Sequence, residues 1–207
     1  MNGITQIKTI LSYSETKFKE KSSIFLGFAY PIKSIEDVTV KLALLRKKYF
    51  DATHHCYAYK LASNILKYSD DGEPSGTAGI RILNVIEHFD LVNVLLVVVR
   101  YYGGTKLGVG PLGKAYYNSA LQAIESENII IQKPYNKITI ESNYLLINQV
   151  KKLLLKYGAI NDEIKFGEGV KFSYFIDPGK VKLVSDELHE LSRGEIGISI
   201  ENIVVYK

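Results

Sequence analysis

The sequence of 207 residues contains no tryptophan and only one cysteine, Cys56. A single cysteine excludes an internal disulfide framework, and an unpaired thiol is typical of a reducing compartment. Long hydrophobic runs are also missing, since the longest, Val94 to Val99, is far too short to cross a bilayer. The first residues alternate apolar with polar side chains instead of forming the apolar core of a signal peptide. We therefore expect a cytoplasmic protein without a membrane segment.

Neither sign of charge dominates the chain. Lys and Arg together number 26 and Asp and Glu 22, which gives a formal net charge of +4. The whole surplus lies in residues 1–133, which hold 16 basic and 12 acidic side chains, whereas residues 134–207 hold 10 of each. A surplus of this size is compatible with an acidic or nucleic-acid partner, and equally with a basic surface that only keeps the protein soluble.

Two complete sets of amphipathic segments lie on either side of Lys133-Pro134. This division predicts two domains, residues 1–133 and residues 134–207. The second reads strand, helix, strand, strand, helix, strand, which predicts a ferredoxin-like βαββαβ domain. Gly167-Glu168-Gly169 indicates a hairpin between its two middle strands, and Asp177 with Pro178 indicates the start of its second helix. The fold class that follows is α+β.

The first part of the chain also mixes strands with helices. A helix is predicted after Ser34, which can cap it together with Asp37, and its core face is Ile35, Val38, Leu42, Leu45 and Tyr49. The other predicted elements are strands at Gln6–Tyr13, Ser22–Pro31, His54–Leu61, Ile65–Ser69, Leu91–Tyr102 and Ile129–Gln132, and helices at Thr77–Phe89 and Leu112–Glu127. The segment Leu91–Tyr102 is β-branched and apolar on both faces, which predicts a central strand covered on both sides.

Three segments concentrate residues that a hydrophobic core does not require. They are DATHHCYAY from Asp51, SDDGEPSGTAG from Ser69, and RYYGGTKLGVGPLGKAY from Arg100. Eight of the sixteen glycines fall between Gly72 and Gly113, which indicates loops under backbone constraint.

The acidic loop of the second segment offers three carboxylates and two small donors, Asp70, Asp71, Glu73, Ser75 and Thr77. One interpretation is a turn in which Asp71-Gly72 supplies a left-handed position and Ser75 or Thr77 caps the next helix. The other is a site for Mg²⁺ or Ca²⁺, since hard cations prefer oxygen ligands. His55 is the residue of the first segment that we expect to contact this loop.

The glycine-rich third segment places Arg100, Lys106 and Lys114 around flexible backbone between a buried strand and a helix start. Such a loop can offer N–H groups to an anion, and the helix dipole adds to the attraction. Tyr101 and Tyr102 point to opposite faces of their strand, so one at most can stack on a base, and Tyr101 is our candidate. The alternative is that the glycines serve only close backbone packing.

Three other kinds of site are excluded or weakly indicated. The string Gly108-x-Gly110-x-x-Gly113 is not a dinucleotide fingerprint, because the fingerprint needs an acid at the end of the next strand, where this chain has Gln132 and Lys133. One cysteine and four histidines without C-x-x-C or H-E-x-x-H spacing argue against a structural zinc site. A Cys56 nucleophile with His54 as base stays open, although a small buried thiol is the commoner role.

Together the three segments resemble the signature of the Impact/YigZ family, whose pattern runs DATHHCYAY, SDDGEPSGTAG and VTRYFGGIKLGAGGLVRAY. The sequence departs from that pattern at Ile80, Arg81, Pro111, Gly113 and Lys114. Lys114 replaces an arginine, which keeps the charge but loses the planar fork that grips phosphate. The resemblance implies a first domain with the fold of a small-subunit ribosomal protein and a translocase domain. The second is similar to the last domain of elongation factor G.

The same resemblance links the chain to the regulation of translation. It implies binding to RNA, the ribosome or a translation-associated protein, with Arg100, Lys106 and Lys114 as contacts. The alternative is a metal-assisted hydrolase acting on a phosphorylated or peptide substrate, in which the acidic loop and His55 supply metal ligands or acid–base groups. We favour the binding protein and expect no catalytic residue, no resident metal and no cofactor, with Mg²⁺ or Ca²⁺ at the acidic loop as the alternative. The sequence does not indicate an oligomeric state.

Overall fold

The computed structural model describes residues 6–124 and 129–206, and it is an α+β structure. The chain divides into two compact units. The first is Ile7–Ile131, and the second consists mainly of Gln132–Lys207. Within the described ranges, no helix has both the length and the hydropathy that a membrane span requires.

The first unit is built on a five-stranded antiparallel sheet with the order β2-β3-β6-β4-β5, and β1 pairs separately with β7. The strands are β1 (Ile7–Ile10), β2 (Ser14–Glu20), β3 (Ser23–Pro31), β4 (His54–Lys60), β5 (Leu66–Ser69), β6 (Val94–Tyr101) and β7 (Ile129–Gln132). The helices are α1 (Ile35–Lys48), α2 (Gly79–His88) and α3 (Val109–Ala123).

Strand β6 is the centre of the sheet, as its apolar run predicted. Val94, Leu96 and Val98 pack with residues of α2 and α3 on one face. The alternate residues, Leu95, Val97 and Val99, pack with residues of α1 on the other face. Because helices cover both faces, a side chain near the end of this strand is buried even if it is charged.

Helix α1 begins as the sequence predicted. The Ser34 hydroxyl accepts a hydrogen bond from the Asp37 backbone N–H, and the Asp37 carboxylate accepts one from the Ser34 N–H. Val38 and Leu45 are buried on the predicted face, whereas Ile35 is 44% exposed. Ile35 lies one turn before Val38, the first buried residue of the helix.

The sequence missed strand β2. One strand was predicted over Gln6–Tyr13, but the structure has β1 and then β2 (Ser14–Glu20), which pairs with β3 at the edge of the sheet. β2 contains a single apolar residue, Phe18, so the apolar–polar alternation typical of a strand is missing from its sequence. The predicted helix Leu112–Glu127 begins earlier, at Val109, and residues 125–127 lie outside the described part of the chain.

The second unit has the predicted βαββαβ order. Its elements are β8 (Pro134–Ser142), α4 (Ile147–Lys156), β9 (Ile160–Phe166), β10 (Val170–Ile176), α5 (Val181–Ser192) and β11 (Gly197–Tyr206). The sheet is antiparallel with the order β11-β8-β10-β9. β9 and β10 form the predicted hairpin, in which Phe166 pairs with Val170. Asp177 caps a short 3₁₀ turn before α5 rather than α5 itself.

Candidate functional site

The three signature segments meet on the side of the five-stranded sheet that α2 and α3 cover. The carboxylate of Glu73, from the acidic loop, lies at the centre of the group. Its Oε1 accepts hydrogen bonds from Arg100 Nη1 at 2.5 Å and from the Tyr116 hydroxyl at 2.7 Å. His54 Nε2 lies 3.7 Å from the same oxygen. One buried carboxylate thus connects the acidic loop with β4, β6 and α3.

Arg100 lies in the interior, and not in the exposed loop where the sequence suggested it. It is 4% exposed, and its Nη2 donates to the Ser23 hydroxyl at 3.2 Å. Its position near the end of the doubly covered β6 causes this burial. The charge of Arg100 is matched by Glu73 inside the fold, so it is not a surface cation.

Asp70 uses its carboxylate to cap helix α2. The two oxygens accept backbone N–H groups of Gly76 at 3.0 Å, Ala78 at 3.0 Å and Gly79 at 2.8 Å. The N-cap residue Ala78 has no side chain that can do this. A carboxylate at a helix N-terminus is also favoured by the helix dipole.

The two residues that the sequence proposed as caps have other positions. The Thr77 hydroxyl donates to the Pro74 carbonyl at 2.6 Å and is almost fully buried. Ser75 is exposed. The expected cap by Ser75 or Thr77 is therefore wrong, because Asp70 reaches the same N–H groups with a charged acceptor.

Asp71 occupies the left-handed turn position that the sequence predicted, with φ 44°, followed by Gly72 with φ 87°. Its Oδ2 accepts the His55 backbone N–H at 2.7 Å, and its Oδ1 pairs with Arg46 at 3.1 Å. His55 thus contacts the acidic loop through its backbone N–H, and its imidazole Nδ1 lies 3.9 Å from Asp71 Oδ2. Burial lowers the pKa of the His55 imidazole, whose Nε2 has no hydrogen-bond partner among the described residues.

The thiol of Cys56 is fully buried and lies 2.9 Å from the Asp70 carbonyl oxygen. Burial raises the pKa of this thiol, which disfavours the nucleophilic thiolate. The imidazole of His54 contacts the Asp71 carbonyl through Nδ1 at 2.8 Å. Across the described ranges, three or more His, Cys, Asp or Glu side chains nowhere converge as metal ligands. Asp70, Asp71 and Glu73 each face different partners within the fold.

The glycines of the signature divide into two groups. A Cβ at Gly103 would lie 2.0 Å from the Ser22 backbone, and one at Gly79 would lie 2.7 Å from the Ser69 backbone. Close packing explains these two. At Gly104, Gly108 and Gly110 a Cβ would meet no atom within 4 Å. Within the glycine loop (residues 103–110), the backbone is therefore open at Gly104, Gly108 and Gly110.

Lys106 and Lys114 are exposed, as predicted. Two further exposed cations adjoin the same loop, and neither was predicted from the sequence. Lys21 precedes Ser22, which packs against Gly103, and Arg81 packs against Gly113, whose Cβ would lie 3.2 Å from Arg81 Nε. These contacts are long-range and leave no local pattern.

We call Lys21, Arg81, Lys106 and Lys114 the loop cations. Within residues 6–124 and 129–206, none of the four pairs with a carboxylate. Their charge is not neutralised by neighbouring groups of the described chain. Exposed cations without a carboxylate partner thus lie within the glycine loop or on segments that pack beside it and the start of α3.

Tyr102, and not Tyr101, lies on the Arg100 side of the strand. Tyr101 packs on the α1 side of the sheet, and its hydroxyl donates to Asp51 Oδ1 at 2.8 Å. Tyr102 is 44% exposed, and its ring centroid lies 5.4 Å from the Arg100 guanidinium carbon. Of the two tyrosines, Tyr102 is the one beside the glycine loop.

Two departures from the family pattern, Arg81 and Gly113, contact each other. Gly113 provides the space that the Arg81 side chain fills. Ile80 is partly buried against the core, and Pro111 is exposed in the first turn of α3. The N–H that proline lacks has no intrahelical partner at that position, so Pro111 does not weaken the helix.

The first unit thus combines a doubly covered five-stranded sheet with the Glu73-centred network, and a βαββαβ unit follows it in the chain. The sequence matches the Impact N-terminal domain over residues 21–124, half of the chain, and the chain belongs to the IMPACT family. This confirms the resemblance inferred from the three segments.

Relatives extend the match beyond this domain. The chain is 28% identical over 192 residues to the IMPACT family member YvyE of Bacillus subtilis, covering 92% of this chain and 88% of that protein. It is 31% identical over 134 residues to Protein IMPACT of Homo sapiens, covering 61% of this chain and 39% of that protein. A crystal structure described as that of a hypothetical protein has a TM-score of 0.70 and 27% identity, covering 97% of this chain and 100% of the other.

Proposed function

We propose that this protein binds RNA, free or in ribosomal particles, through the outer side of the glycine loop, and that it acts in the regulation of translation. The link to translation rests on the family resemblance. The observation that carries the binding proposal is the group of four exposed loop cations, none with a carboxylate partner in the described residues, near the open backbone at Gly104, Gly108 and Gly110.

Electrostatics favours a polyanion at this surface. Each phosphate that a Lys or Arg neutralises releases condensed counterions, which is the main source of sequence-independent affinity for nucleic acid. The first N–H groups of α3 have no partner within the helix and point toward the same end of the loop. Lys106 and Lys114 lie on either side of this helix start. Backbone N–H groups and lysine side chains can therefore contact the same phosphate backbone.

The second unit also supports a role in translation. Its βαββαβ order and antiparallel sheet are those of the ferredoxin-like class. We assign it to that class and to a fold similar to the last domain of elongation factor G. Fold similarity alone is weak support for a shared activity, so the loop cations carry the proposal.

The test removes loop cations without disturbing the buried network. Arg100 is unsuitable because its loss would leave Glu73 unpaired, so the test variant is Lys106→Ala with Lys114→Ala. The control variant, Lys33→Ala with Lys47→Ala, removes the same charge from exposed positions of the same unit, at the start and on the outer side of α1. Filter binding to RNA and sedimentation with ribosomes are measured at several salt concentrations, with thermal melts to verify folding.

We expect the test variant to bind more weakly. The slope of log affinity against log salt should fall by somewhat under one unit for each phosphate that the variant no longer neutralises. The control variant should keep the slope of the parent. Equal binding and equal slope in parent and test variant would remove the glycine loop as the site, and a parent that binds neither RNA nor ribosomes would overturn the proposed function.

A further inference from the structure

The guanidinium of Arg100 contacts two aromatic rings. Its central carbon lies 5.3 Å from the ring centroid of Phe25 and 5.4 Å from that of Tyr102. Phe25 is fully buried, whereas Tyr102 is 44% exposed. The three side chains thus lead from the core of the first unit to its surface beside the glycine loop.

Arg100 supports one face of the Tyr102 ring. Arg100 is itself fixed by the Glu73 carboxylate at 2.5 Å and the Ser23 hydroxyl at 3.2 Å. The Tyr102 backbone N–H donates to the Thr53 hydroxyl at 3.1 Å, which fixes the start of the loop. Arg100 therefore lies over one face of the ring, and the side chain is still 44% exposed.

We propose that Tyr102 is a stacking platform for an unpaired base of single-stranded nucleic acid whose phosphates lie on the loop cations. This inference rests on the proposed function and adds the form of the ligand. Bases in a duplex are stacked on each other and do not offer a free face, whereas a single strand can place a base on an exposed ring. Because the ring is already held in place, little side-chain entropy is lost when a base stacks on it.

The surroundings favour a nucleic acid over a protein segment at this ring. The exposed cations that packing brings near the loop are Lys21, next to Ser22, and Arg81, beside Gly113, and those within or just after the loop include Lys106 and Lys114. A flat ring among several unpaired cations matches a ligand that alternates planar bases with phosphates. It matches a protein partner less well, since protein interfaces bury a larger apolar centre and are depleted of lysine.

The absence of tryptophan allows a direct test. Tyr102→Trp introduces the only tryptophan of the protein, whose fluorescence is quenched when a base stacks on the indole. The control is Tyr68→Trp on β5, because Tyr68 is 45% exposed and Tyr102 44%. The probes are an oligoadenylate octamer, a duplex RNA of mixed sequence and adenosine monophosphate, each titrated into the full-length chain.

We expect the octamer to quench Tyr102→Trp in a saturable way and to leave Tyr68→Trp unchanged. Tyr102→Leu should bind the octamer about five- to 150-fold more weakly, which is the range for loss of one stacked base. It should keep the salt slope of the parent, because the loop cations still neutralise the same phosphates. Tyr102→Phe keeps the ring and should bind like the parent.

Four outcomes would overturn the inference. Octamer binding without quenching, or duplex binding as tight as octamer binding, would leave RNA binding intact but remove the stacking role. Adenosine monophosphate that quenches at the same concentration as the octamer would show that no strand is recognised. If the parent binds none of the probes at any salt concentration, the proposed function fails and the stacking platform fails with it.

Discussion

The guanidinium of Arg100 lies 2.5 Å from the carboxylate of Glu73, and the two side chains are only 5% and 4% exposed. They are separated by 27 residues in sequence, so their pairing joins the end of β6 to the acidic loop. A buried charge that loses its partner is strongly destabilising, because its desolvation is no longer compensated. This pair therefore holds the signature segments in place beneath the exposed loop.

Replacing Arg100 with Met should lower the free energy of unfolding by about 3–5 kcal/mol, because Glu73 is left buried without its cation. Glu73→Gln should also destabilise, and the double variant should lose less than the sum of the two, because the single changes share one interaction. Urea unfolding of the four proteins gives this coupling.

The control for that cycle is Arg46→Met, which breaks the Arg46–Asp71 pair. Arg46 is 51% exposed, so the loss should stay below about 1 kcal/mol. Strict additivity of Arg100→Met and Glu73→Gln would contradict a direct interaction between these two groups.

Asp70→Ala should destabilise the first unit by about 1–2 kcal/mol, because three backbone N–H groups at the start of α2 lose their acceptor. Asp71→Asn is the matched change in the next residue. Asparagine tolerates the left-handed φ of 44° and can still accept the His55 N–H, so its effect should be well under that of Asp70→Ala. Thermal melts compare the two variants, and a larger loss of stability for Asp71→Asn than for Asp70→Ala would contradict this prediction.

Much of the fold follows from local patterns in the sequence. The β-branched run of β6, the Ser34–Asp37 capping box and the βαββαβ order of the second unit were all predicted and all are observed. These features depend on spacing within one element or on the order of neighbouring elements. A short polar strand such as β2 carries too little hydrophobic pattern to be found in the same way.

The arrangement of the site depends on contacts between distant residues. Arg100 reads as a free cation beside a glycine loop until Glu73 is brought to it across 27 positions. Asp70 reads as a metal ligand or turn residue until the chain folds back and places its carboxylate on the first N–H groups of α2. Lys21 and Arg81 join the loop only through packing against other segments. The residue types in the three segments indicated a polar site, but their spacing in the sequence did not indicate which side chains would pair.

The stability of the protein should fall as the pH decreases below about 6.5, in part because of His55. Burial lowers the pKa of this imidazole in the folded state, so the unfolded chain binds a proton at a higher pH than the folded protein does. The contribution of His55 to stability is therefore complete above the pKa of its imidazole in the unfolded state. It is lost as the pH falls from that pKa to the lower pKa of the folded state.

His55→Gln should remove that part of the pH dependence, which urea unfolding at a series of pH values between about 5 and 7 will measure. His88→Gln serves as the control, because His88 is exposed. If His55→Gln keeps the full slope of the parent in this window, another group is responsible for it.

Substitutions at the glycines of the signature segments can distinguish a role in packing from a role in binding. Gly79→Ala places a methyl group 2.7 Å from the Ser69 backbone, which cannot move aside as a flexible side chain would. We expect this variant to lose about 1–3 kcal/mol or more of stability, measured by urea unfolding.

Gly110 is the contrasting case, because a Cβ there meets no atom within 4 Å and its φ is not in the left-handed region. Neither packing nor backbone conformation requires glycine at this position, and alanine in the first turn of α3 should raise stability by up to about 1 kcal/mol. The glycine leaves the backbone N–H groups at the helix start uncovered, so a methyl group should hinder a phosphate that approaches them. Gly110→Ala should therefore be at least as stable as the parent and bind RNA more weakly in the filter assay. RNA affinity equal to that of the parent would show that the ligand does not approach the backbone at Gly110, and would restrict the contact to the side chains of the loop cations.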